Sequence, residues 1–217
     1  MKNQNNLLKL LLLTIVLFNA CSGHNSEKSS QANEDSLKAA QFHEKAVQQY
    51  MEIISPFSHK DSVTLMQAVS FMDSALKYMP DKQQYLDFKA TLYLSLGKHN
   101  EALEVYKYQY YNIDSVSNTS SFQLGLLSYH LNEPDYQRYF ENALRVYNSV
   151  PVPESNAQYP EMDKEILSFC SLFFIDSLKA IDDYNRFMKK HRDDGFDIGI
   201  DLNTCTKEDL VRQFLLR

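Results

Sequence analysis

Small and large apolar side chains recur along this chain with a period of 34 residues. Ala68, Ala102 and Tyr136 share one phase, and Met72, Tyr106 and Phe140 follow four residues later. Ala75 and Ala143 then take the same place in their own units. Ala180 and Tyr184 restore the pair after one period plus ten residues. On a helix, residues four apart share a face, so the small side chain lets a second helix approach and the large one fills the space beside it. No such unit buries its apolar face alone. Units of this kind must stack on their neighbours, and at least three are needed. The extra ten residues fall at Val150-Pro151-Val152-Pro153-Glu154-Ser155-Asn156-Ala157-Gln158-Tyr159, which reads as an inserted loop.

From Asp35 onward, turn signals separate helical segments, and only Phe196 to Leu202 has a strand-like alternation. Five Gly and six Pro in 217 residues are too few for the many tight turns of a β-sandwich or for a disordered chain. The expected fold class is therefore all-α. Asp35-Ser36, Asp61-Ser62, Asp114-Ser115 and Asp176-Ser177 stand where helices should begin, because Asp or Ser accepts a hydrogen bond from an orphan N–H there. Pro134 and Pro160 suit a helix's first turn.

Ala90 and Tyr93, then Gly97, then Ala102 and Tyr106 resemble a tetratricopeptide repeat: a small residue and an aromatic on a first helix, a turn, and a small residue and an aromatic on a second. Lys89, Tyr136, Gln109 and Asp114 depart from that pattern, and the chain has no Trp. The resemblance implies about four units over residues 35–191, stacked as antiparallel helix pairs in a right-handed superhelix. It also implies a concave surface made by the first helix of each pair, which binds a protein or peptide. Asp87, Thr91, Leu94, Phe122, Leu126, Tyr129, Phe169 and Phe173 are the positions that would face it. Asp87 stands where repeats that clamp a terminal carboxylate place Lys, which disfavours that ligand.

The N-terminus reads as a targeting segment. Lys2 and Lys9 precede or enter the apolar run Leu10–Phe18, which is too short to cross roughly 30 Å of hydrocarbon as a helix. Phe18-Asn19-Ala20-Cys21 at its end resembles the bacterial lipoprotein signal, which implies cleavage after residue 20 and acylation (diacylglycerol, palmitate-type chains) of Cys21. Ordinary signal cleavage with Cys21 a bystander is the alternative. With Ser22 rather than Asp next, the resemblance implies a place at the outer membrane of the cell envelope. Residues 21–34 carry no large apolar side chain after the Cys and read as a tether.

Twenty-two Lys and Arg against 28 Asp and Glu leave the chain at −6, without the positive excess that binding to phosphate backbones needs. No phosphate loop, serine elbow or zinc-binding His pair is present. No enzyme activity, metal or cofactor is expected. Cys170 sits in an apolar run and reads as a buried thiol, with a bridge to Cys205 as the alternative. Tyr108 and Tyr111 fall off the core stripe of their helix, and Lys189-Lys190-His191-Arg192 ends a helix where cations satisfy carbonyls. Asp193 to Asp201 is acidic enough to suggest calcium, but lacks Gly where a calcium loop needs it. Residues 192–217 then read as an acidic turn and a capping helix over the last repeat.

Five Asp-Ser-apolar triplets, at Asp35, Asp61, Asp73, Asp114 and Asp176, resemble the acceptor motif of a bacterial O-glycosylation system for exported proteins. Taken together, the expected protein is a lipid-anchored envelope lipoprotein that binds a protein or peptide on a helical-repeat surface. An envelope immunity or inhibitor protein acting against a toxin is the alternative. A glycan-binding lipoprotein is disfavoured by the absence of Trp.

Overall fold

A computed structural model describes residues 28–53, 62–113, 118–149, 160–191 and 200–215. The chain divides into a unit Met1–Asp35 and a unit Ser36–Arg217, and all the packing below lies in the second. Cys21, the apolar run before it, the inserted loop at 150–159 and most of the acidic turn lie outside the described residues.

Among the described residues there are nine helices and no strand: α1 (Lys28–Ile53), α2 (Ser62–Tyr78), α3 (Gln83–Ser95), α4 (His99–Asn112), α5 (Asn118–His130), α6 (Tyr136–Ser149), α7 (Pro160–Ile175), α8 (Ser177–Lys190) and α9 (Lys207–Leu215). From α2 to α8 each helix packs on the next. The rings of α1 join them, with Phe42 stacked on Phe71 and His43 on Tyr85. Only α9 breaks the order, returning to lie against α5 and α7.

The 34-residue phase is the phase of burial. Ala68, Ala102 and Ala180 are fully buried, as are Met72 and Phe140 four residues after their phase positions. Tyr106 and Tyr184 are buried beside them. Tyr136, standing where Ala is usual, is half-buried instead. A ring there cannot fit between close helices, and it turns to meet Tyr129 edge-on at 5.2 Å.

The turns repeat as well. After α3, Lys98 N–H bonds to Tyr93 O at 2.8 Å and Gly97 N–H to Leu94 O at 2.9 Å. After α5, Glu133 N–H bonds to Ser128 O at 2.8 Å and Asn132 N–H to Tyr129 O at 3.1 Å. Both are Schellman caps, which need one left-handed residue; Gly97 at φ 68° and Asn132 at φ 58° supply it. Gly and Asn are the two residue types that reach that region most readily.

The expected helix starts divide. Asp176 caps α8, accepting a bond from Lys179 N–H at 3.1 Å, and Pro160 opens α7. Ser62 opens α2. Asp35, however, lies inside α1, which begins at Lys28. The polar residues ahead of it are compatible with an exposed helix, so no cap is needed there. Pro134 stands in the turn before α6 rather than in its first turn.

Two residues that follow no expectation set how closely α5 meets its neighbours. Gly125 faces the Phe140 ring so tightly that a Cβ there would lie 2.9 Å from Cε1 and Cζ. Phe140 is in turn stacked on Phe174 at 4.3 Å, tying α6 to α7. Gln109, standing where Ala is usual, is fully buried. Cys170 is buried and Cys205 half-buried, both as free thiols, and burial pushes the Cys170 thiol up to about 12.

Candidate interaction surface

Asp87, Thr91 and Leu94 follow one another along α3 at helical spacing and are all half-buried. Asp87 is the polar centre of a three-helix junction. Its Oδ1 accepts bonds from Gln109 Nε2 of α4 at 2.9 Å and from Ser120 Oγ of α5 at 3.0 Å. Gln83 Nε2 approaches the same Ser120 hydroxyl at 3.4 Å, and Thr91 Oγ1 donates back to Asp87 O at 3.0 Å. No Lys, Arg or His among the described residues pairs with this carboxylate. Burial therefore raises its pKa, against the two hydrogen bonds that lower it. The buried Gln109 Oε1 has no partner.

On α5 and α7 the expected positions are mostly buried. Phe122 and Leu126 are fully buried, and Phe169 and Phe173 nearly so. Phe122 meets the Phe214 ring of α9 edge-on at 5.2 Å. Leu210, Val211 and Leu215 are buried on the same helix. Tyr129, expected to be open to a partner, is engaged within the chain: its ring packs edge-on against Phe174 at 5.0 Å and its hydroxyl donates to Glu208 Oε1. That bond raises the tyrosine pKa to about 12 and lowers that of Glu208. Lys207 Nζ adds a bond to Phe174 O at 3.1 Å. Of the eight positions, the three on α3 and Tyr129 are half-buried and the other four are buried.

No family model, curated protein or solved structure matches this chain. The reading of its surface rests on its own geometry.

Two further grooves lie between alternate helices. Leu76, Leu86, Tyr93 and Val105 floor one of about 540 Å³ between α2, α3 and α4. Leu144, Phe169, Leu172 and Phe187 line its counterpart of about 700 Å³ between α6, α7 and α8. The residue that would line the middle groove, one period from each leucine, is Tyr110, whose ring sits 5.1 Å from Tyr139.

The exposed tyrosines are anchored rather than free: Tyr108 donates to Asp81 Oδ1 at 2.7 Å, and Tyr111 bonds Tyr139 and Arg138. Lys189 and Lys190 stand in the last turn of α8 as expected. Among the described residues no three His, Cys, Asp or Glu are placed to hold a metal ion, and Asp201 accepts from Asn203 N–H instead. No helix among them is long and apolar enough to cross a membrane.

The Asp-Ser-apolar triplets separate by exposure. Leu37, Val63 and Leu178, the third residues of three of them, are 61%, 62% and 81% exposed, more than any other large apolar side chain in the described residues. In the fourth, Ser74 donates to Ser70 O at 3.0 Å and Ala75 is fully buried. The triplet at Asp114 lies outside the described residues.

Sequence reasoning singled out Asp87, Thr91 and Leu94 but not the side chains that hold Asp87. Gln109 was visible as a departure from the repeat. Nothing local linked it to Asp87, 22 residues away. Glu208 carried no signal at all.

Proposed function

We propose that this chain is a lipid-anchored interaction protein of the bacterial cell envelope, tethered at Cys21, that binds a peptide or protein segment on the first-helix face of a tetratricopeptide-like stack. The observation that carries the reading is α9. An amphipathic helix already lies across α5 and α7, its apolar residues buried and its acidic first turn held by Tyr129. A face that takes a helix from its own chain has the chemistry of helix-in-groove recognition. With Phe122, Leu126, Phe169 and Phe173 buried and Tyr129 engaged by Glu208, the strip on α3 is the part left for a partner.

The lipid anchor is the second half of the proposal. It rests on the Ala20-Cys21 end of the short apolar run, and several acyl chains at one point hold a protein to a bilayer. A photo-cross-linking residue at Thr91, expressed in the native cell, should trap a partner that the same probe at Leu178 of α8 does not. Equal trapping from both positions, or none from Thr91, would remove the α3 face from consideration.

A further inference from the structure

We infer that Asp87 is the anchor for a cationic side chain, Lys or Arg, of the bound segment; the inference rests on the reading that α3 faces a partner. The geometry is that of a carboxylate left half-satisfied. Both hydrogen bonds fall on Oδ1, from Gln109 and Ser120. Oδ2 accepts none from the described residues, and it is not sealed from solvent. The group is thus fixed at one oxygen by two neutral donors, while its second oxygen has no hydrogen-bond partner among the described residues.

Neutral donors orient a carboxylate but do not cancel its charge. Among the described residues no cation stands close enough to do so, although Asp73, Asp135, Asp182, Asp183 and Asp209 each have a Lys or Arg within ion-pair distance. A partially desolvated, preorganised charge gains most from a partner that brings the opposite charge and a hydrogen-bond donor together. Lys and Arg do both, and their aliphatic stems lie along partly apolar surface such as that of Leu94. A divalent metal is a poorer fit, since it wants several carboxylate oxygens and only one acid is present here. The buried Gln109 also explains why this unit departs from the small residue of its repeat: the amide is what holds Asp87.

The test uses the acylated full chain in detergent micelles, displayed to a library of random dodecapeptides. Selected peptides should share a Lys or Arg at one position. Asp87→Asn keeps the acceptor oxygen for Gln109 and Ser120, and should weaken the selected peptides by about tenfold or more. Replacing the shared Lys or Arg by an uncharged residue should cost the same, with no further loss in Asp87→Asn. Thr91→Lys, which sets a cation one turn away on the same helix, should compete in cis and weaken binding likewise. Melting curves of both variants must match or exceed the wild type for these losses to count as binding. Peptides that bind without a shared cation, or equally well to Asp87→Asn, overturn the anchor alone. A library that yields no binder overturns the proposed function with it.

Discussion

Asp87 places a half-buried carboxylate where its stability effect has an unusual sign. Its pKa is raised on folding because burial outweighs two hydrogen bonds. A carboxyl that holds its proton more tightly when folded contributes fully below its unfolded pKa, and that contribution is lost as pH rises through the raised value. Asp87→Asn should therefore raise the melting temperature at neutral pH, and the gain should vanish in acid. Thermal unfolding across the pH range checks this. Gly125 makes the opposite case. Ala is the better helix former by about 1 kcal/mol, yet its Cβ would meet the Phe140 ring at 2.9 Å. That ring is fixed by Phe122, Tyr136 and Phe174, so it has nowhere to move. Overpacking costs about 1–3 kcal/mol and should win, and Gly125→Ala should show a lowered denaturation midpoint.

At the scale of the element, α9 is the least regular piece and among the most consequential. Nine residues make a helix too short to persist alone, so its order comes from what it buries. Leu210 is fully buried, and Leu210→Ala should cost about 2–5 kcal/mol in chemical denaturation. Tyr129→Ala, which an open groove would tolerate, should also destabilise, because the ring supports Phe174 and the hydroxyl holds Glu208. The Glu208 pKa is lowered in the folded chain. Its contribution is present above the unfolded carboxylate range and is lost as pH falls through the lowered value. Glu208→Gln should flatten that acid-side dependence and, because the same bond raises the Tyr129 pKa, weaken the alkaline-side dependence as well. The exposed triplets belong to this scale too: helix capping accounts for most of them, and a glycosylation system that reads the motif would modify Ser36, Ser62 and Ser177 but not Ser74. Mass spectrometry of protein from its native host, with Ser→Ala at each position, reads the outcome directly.

For the molecule as a whole, the proposed anchor and the helical packing can be tested separately. Cys21→Ser should move the protein from the detergent phase to the aqueous phase without changing its helical circular dichroism, since all the described packing lies beyond residue 35. The sequence by itself determined the helical class, the phase of the buried positions and the Asp176 cap, because each depends on spacings of a few residues or on a repeat of one residue pattern. Ala68, Ala102 and Ala180 are where that pattern requires small side chains. The boundary of α1 was not determined in this way: a polar segment gives no periodic signal, and Asp35 is as acceptable inside a helix as at its end. Only the tertiary structure decided which of these positions are buried. Whether Phe122 is groove or core depends on α9 from some 90 residues later, and whether Asp87 is a free acid depends on Gln109 and Ser120 from two other helices. Local sequence carries propensity and periodicity, whereas the availability of a surface is set by which distant segment returns to cover it.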